Sequence, residues 1–112
     1  MSTPVDLTNL REITEGDAAM EQELFKEFIA SADSYIINLG NMMSAEQHES
    51  WRTTAHAFKG LAINLGATHL SELCKKAQEN NTANTQEKTA MLKDINQEYT
   101  AVKSFLDDML VS

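Results

Sequence analysis

The sequence predicts an all-α fold: an antiparallel up-and-down four-helix bundle with a short additional N-terminal helix. Three observations carry that expectation. Apolar residues recur at three- and four-residue steps through most of the 112 residues. β-Branched and aromatic residues never alternate with period two over a useful length, so no strand is predicted. Helix breakers are scarce, with one proline, Pro4, and four glycines at positions 16, 40, 60 and 66. Four amphipathic helices on short links bury their apolar stripes most simply against one another.

The short helix is expected at about 6–14, with Asp6 as its cap and Leu7, Leu10 and Ile13 on one side. "EGD" (15–17) ends it, and Asp17 can cap the next helix, about 17–40, by accepting from free backbone N–H groups. There Leu24, Phe28, Ala32, Tyr35 and Leu39 form the stripe, broadened by Phe25 and Ile36. Ser44 and Gln47 have capping-box spacing before a helix at about 45–65, which Gly66 should stop. A fourth, at about 68–80, carries Leu70, Leu73, Cys74 and Ala77 and ends at Asn80–Asn81. The fifth, about 85–110, has the cleanest period: Leu92, Ile95, Tyr99, Val102, Leu106 and Met109.

Composition narrows the function. One domain fits the length. A net charge of −8 disfavours nucleic acid and anionic membrane surfaces. No apolar run approaches the roughly 20 residues of a membrane span, and "MSTPVDLTNL" lacks a signal peptide's layout. The lone Cys74 cannot form an internal disulfide, and a cytoplasmic location is expected. His48, His56 and His69 match no two-ligand helical metal spacing, so no metal site is expected. Cys74 sits in an apolar stripe, where an inert thiol is expected, and Glu46, Glu49 and the carboxylates of the fifth helix read as solvated faces.

"TTAHAFKGLAINLGA" (53–67) departs from an ordinary amphipathic helix in two places. With Trp51, Phe58 and Leu65 as one core row and Ala55 and Ala62 as the next, His56 falls on the far side and should meet water. Arg52 and Thr53 share its face one turn before, Lys59 and Gly60 one turn after, and Ile63 two turns after. A surface histidine usually does nothing, and Lys59 and Arg52 are what solvated faces are made of. Gly60 is harder to dismiss, since glycine inside a helix costs roughly 1 kcal/mol against alanine. Its use here would be to remove bulk beside the imidazole, so that another molecule can approach.

These residues resemble a known family. "AHAFKGLAINLGA" is similar to the signature of histidine-containing phosphotransfer (HPt) domains of two-component phosphorelays: His, any residue, an apolar residue, Lys-Gly, then an apolar stretch ending in Gly-Ala. "HLSELCKKAQ" resembles the helix that follows, and "ITEGDAAMEQELFKEFIASADSYIINL" the family's first long helix. The resemblance implies a four-helix bundle that carries a phosphoryl group on the histidine between the aspartates of response-regulator receiver domains. His56 takes the phosphoacceptor's place, Lys59 that of the phosphate-neighbouring lysine and Gly60 that of the access glycine, while Gly66 and Ala67 fill the turn and packing positions. Leu61 and Ile63 are bulkier than the small residues often found after Lys-Gly, which bears on partner preference.

The resemblance implies that the outer nitrogen, Nε2, is the nucleophile and that Nδ1 carries the proton. Free imidazole, with a pKa of about 6.5, is mostly neutral at pH 7 and needs no general base. Lys59, and Arg52 from the other side, could meet the phosphoryl oxygens. There is no glycine-rich nucleotide loop, so the chain is read as a phosphoryl carrier and not as a kinase. It is expected to hold no cofactor of its own, the Mg²⁺ and the aspartate coming from the receiver. Thr53, Ala57, Gly60, Arg52 and Ile63 form the expected docking face. The expected partners are receiver domains and a hybrid sensor histidine kinase, met by a monomer. A start at Met1 and an end just past the last helix favour a free-standing protein, with the tail domain of a larger hybrid kinase as the alternative. The competing reading is a non-catalytic helical adaptor that binds and titrates a receiver; such a module could lose His56 without penalty.

Overall fold

The computed structural model describes residues 4–111. Its helices are α1 (Thr8–Thr14), α2 (Ala18–Gly40), α3 (His48–Leu65), α4 (Thr68–Glu79) and α5 (Thr85–Val111), with a 3₁₀ turn at Ala45–Gln47. Each long helix packs on the next and α5 closes the ring against α2, so α2–α5 form the expected four-helix bundle. Among the described residues there is no strand, and no helix is long and apolar enough to cross a membrane.

Several expected boundaries follow from visible hydrogen bonds. Asp17 accepts from the Met20 N–H at 3.1 Å and starts α2. Asp6 is not the cap of α1: it accepts from both the N–H and the hydroxyl of Thr8 in the turn before the helix. The cap position falls to Leu7, whose carbonyl accepts from the Arg11 N–H at 2.9 Å. Ser44 and Gln47 do not form a capping box. The Ser44 hydroxyl donates to the Gln47 side-chain oxygen instead, and a 3₁₀ turn delays α3 until His48.

Gly66 ends α3 in the left-handed region at φ 94°, and its N–H and that of Ala67 close back onto the Ala62 and Ile63 carbonyls. Its carbonyl accepts from the Asp6 N–H at 2.9 Å. A Cβ at Gly66 would run into the Asp6 carbonyl, so both the backbone angle and the N-terminal strap require glycine.

The core contains Phe25, Phe28, Trp51, Phe58, Leu70, Ile95 and Leu106. On α3 the predicted core residues Trp51, Ala55, Phe58, Ala62 and Leu65 are buried, and Leu61, expected to widen that row, is partly so. On α2 the stripe is rotated from its expected centre, with Phe25 buried while Leu24, Tyr35 and Ile36 are only partly so. Tyr35 lies at the edge because its ring packs tilted against Phe58, 5.6 Å between centroids. Ile13, expected beside Leu7 and Leu10, is 73% exposed, because α1 crosses the end of the bundle and only its Leu7–Leu10 side meets it.

Candidate phosphoryl-acceptor site on helix α3

His56 is exposed on α3, as its place opposite the core row demands. Its Nδ1 lies 3.3 Å from Oε1 of Gln78 on α4. An amide oxygen can only accept, so in this contact Nδ1 is the donor, and in the neutral ring that tautomer keeps the lone pair on Nε2. The contact is at the long end of hydrogen-bond range: it orients the ring more than it stabilises the fold. Gln78 was not singled out in the sequence, since it is 22 residues from His56. A signal for it exists all the same. The α3–α4 turn at Gly66–Ala67 is the hinge of an antiparallel hairpin, and residues 56 and 78 stand equally far from Ala67.

The α3–α4 register is held from below by Trp51. Its ring is fully buried, and its indole N–H donates to the Ala77 carbonyl at 2.8 Å, next to Gln78 in sequence. An anchored tryptophan thus fixes the segment that presents the amide to His56.

The other predicted residues divide. Lys59 and Gly60 are half-exposed in the turn after His56, and Lys59 makes no ion pair among the described residues. A Cβ at Gly60 would meet nothing within 4 Å, so the fold does not demand glycine there and the room it leaves is open to another molecule. Thr53 and Ile63 are exposed, Ile63 by 56%, and Ala57 is half-buried on the same side. Arg52 departs from expectation. Its guanidinium is gripped by Glu49 one turn earlier through both carboxylate oxygens, the Nε contact at 3.1 Å. Those hydrogen bonds hold the Glu49 carboxyl below the usual carboxylate range and raise Arg52 further. Arg52 is therefore not a free cation beside the imidazole, and Glu49 is not a free carboxylate.

The remaining candidates lie elsewhere. His69 is exposed near Glu72 at 3.9 Å, and His48 contacts Lys88 at the opposite end of α3 from the hinge. Cys74 is fully buried, and burial pushes its thiol up to about 12, so it stays protonated and unreactive.

The profile of the Hpt domain family matches residues 23–109, from α2 to α5. The chain belongs to the Hpt domain family. Among solved structures, this Hpt domain is similar to histidine-containing phosphotransfer protein B (HptB) from Pseudomonas aeruginosa PAO1, at 25% identity and a TM-score of 0.84, covering 96% of this chain and 95% of that one. No curated protein matches the sequence. The Hpt match spans all the elements that build the His56 face, α3 and α4 included.

Proposed function

We propose that this Hpt domain carries a phosphoryl group on His56 Nε2, taking it from the phosphorylated aspartate of one receiver domain and delivering it to the aspartate of another. The observation that carries this reading is the exposed imidazole whose Nδ1 is occupied by Gln78, so that the lone pair is left on Nε2. Family membership and the likeness to a protein described as histidine-containing phosphotransfer protein B support it.

In the forward step the Nε2 lone pair forms the N–P bond while the P–O bond to the aspartate breaks, and that electron pair leaves with the carboxylate. The Nδ1 proton stays on the ring, which becomes cationic, and the Gln78 carbonyl faces the new charge. Lys59 meets the equatorial oxygens. The receiver supplies the aspartate and the Mg²⁺; this chain supplies an oriented nucleophile and room around it. Thr53, Ala57, Gly60 and Ile63 form the docking face, with Arg52 at its edge through its pair with Glu49. The protein works as a cytoplasmic monomer that meets receiver domains, including that of a hybrid sensor kinase.

The test mixes the chain with a radiolabelled phospho-receiver and Mg²⁺, beside a His56→Gln copy. Acid-labile, base-stable label on the wild type and none on the variant is the expected result. Receiver binding by both proteins with label on neither would replace the carrier with the titrating adaptor.

A further inference from the structure

The geometry points to Lys75 as a second phosphoryl-contacting cation, forming with Lys59 a two-lysine clamp across the α3–α4 seam. This rests on the phosphoryl-carrier reading of His56 and adds a residue to it.

The register places the two lysines together. His56 stands opposite Gln78, and Ile63 and Ser71 line one shallow cleft further along the same seam. In an antiparallel pair each step forward on α3 is matched by a step back on α4, so position 59, between 56 and 63, stands opposite position 75. Lys75 also lies three residues before Gln78, on the adjoining part of the same helix face. Lys76, its neighbour in sequence, is rotated by a further 100° or so, away from that seam.

Charge supports the assignment. The chain carries nine cations against 17 acids, yet the stretch from His48 to Glu79 holds four of those cations and only three of the acids. One of the three acids is already engaged, Glu49 with Arg52, and Glu72 lies 3.9 Å from His69. Lys75 has acids within helical reach at Glu72 and Glu79 and pairs with neither. It is left exposed and uncompensated beside the nucleophile, where a dianionic phosphoryl group would give it a partner. Since Arg52 is taken by Glu49, Lys75 fills the place of the second cation.

The experiment phosphorylates the wild type, Lys75→Ala, Lys75→Arg and Lys76→Ala with phosphoramidate, so that no receiver contact enters. It follows the labelling rate, and then the pH titration of the phosphoryl group by phosphorus NMR. Lys75→Ala is expected to label about three- to tenfold more slowly, an exposed cation having less effect than a buried oxyanion-hole donor. Its phosphoryl group should also take up a proton at higher pH than in the wild type. Lys75→Arg restores both, and Lys76→Ala changes neither. Equal effects from Lys75→Ala and Lys76→Ala, or none from Lys75→Ala, would overturn the clamp while leaving His56 as the acceptor. A wild type that takes label from neither phosphoramidate nor any phospho-receiver removes the carrier reading itself, and the clamp with it.

Discussion

His48 and His56 sit on one helix, eight residues apart, and each Nδ1 meets a residue of another helix, yet the two rings are held in opposite states. At His56 the partner is an amide oxygen, which only accepts, so Nδ1 is the donor and, in the neutral ring, Nε2 is the free base. At His48 the partner is Nζ of Lys88 on α5, 2.8 Å away. An ammonium only donates, so there Nδ1 is the acceptor and the proton sits on Nε2. The first ring is exposed, with the unpaired Lys59 one turn further along α3; the second is half-buried against a lysine that is itself fully enclosed. In the proposed carrier, the same side chain thus serves as nucleophile or as structural acceptor according to what the neighbouring helix offers to one nitrogen.

The comparison breaks most severely if the two histidines are exchanged for glutamine in turn. His56→Gln should abolish phosphoryl labelling altogether while leaving the urea midpoint close to wild type, because an exposed side chain contributes little to stability. His48→Gln should keep labelling within about twofold, since its amide oxygen can still accept from Lys88 and nothing reaches the seam. Label retained by His56→Gln, or lost in His48→Gln, would reverse the assignment of the two rings. Labelling and denaturation on the same two samples decide it.

A smaller effect is expected from Gln78→Leu. Without the carbonyl, Nδ1 loses the acceptor that favours its proton, and the ring is free to populate the other tautomer and to turn. One neutral hydrogen bond has a net value of about 1 kcal/mol, which corresponds to a roughly fivefold slower labelling step. The check is the nitrogen chemical shifts of the His56 ring. In the wild type they should report Nδ1–H alone, and in the variant a mixture. A variant that keeps one tautomer would mean that something other than Gln78 orients the ring.

How far the sequence reaches is visible in these same residues. His56, Lys59 and Gly60 lie within one helical turn, so spacing alone puts them on one face, and the buried row of Trp51, Phe58 and Leu65 confirms the rotation of that wheel. Gln78 and Lys75 depend on how α3 and α4 slide past each other, a tertiary property that the hinge at Gly66–Ala67 fixes only once the hairpin is known to be tight. The Arg52–Glu49 pair was within reach, being an i,i+3 contact of opposite charges, yet a cation near a phosphoacceptor is readily assigned to the phosphate. Lys88 escaped for another reason. It occupies an apolar position of α5, seven residues before Ile95, and residue type hides a place that periodicity alone would have marked as core.

Lys88 gives the finest test of the comparison, because its burial is what makes His48 structural. Its ammonium lies 5.2 Å from the centroid of the Trp51 ring and accepts no compensation from any carboxylate among the described residues. Desolvation lowers its pKa from the ordinary 10.5. The unfolded chain therefore binds a proton more readily than the folded one between that lowered value and about 10.5, and stability attributable to this site rises with pH across that window. Below the window the full cost of enclosing the charge is present; above it the cost is gone. Lys88→Met removes the charge and keeps most of the volume, and a buried charge replaced by apolar groups is often neutral or stabilising, here by about 1 kcal/mol at pH 7. That advantage over the wild type should shrink as the pH approaches 10. Taking the difference between the two proteins is essential, since burial raises both the Cys74 thiol, to about 12, and the Tyr99 phenol, and these take stability away as pH rises past their unfolded values. Trp51, the chain's single tryptophan, reports unfolding from beside the site itself. A difference in urea midpoint that stays constant from pH 7 to 10 would mean that Lys88 is solvated in solution, and that the packing around it is looser than its full burial implies.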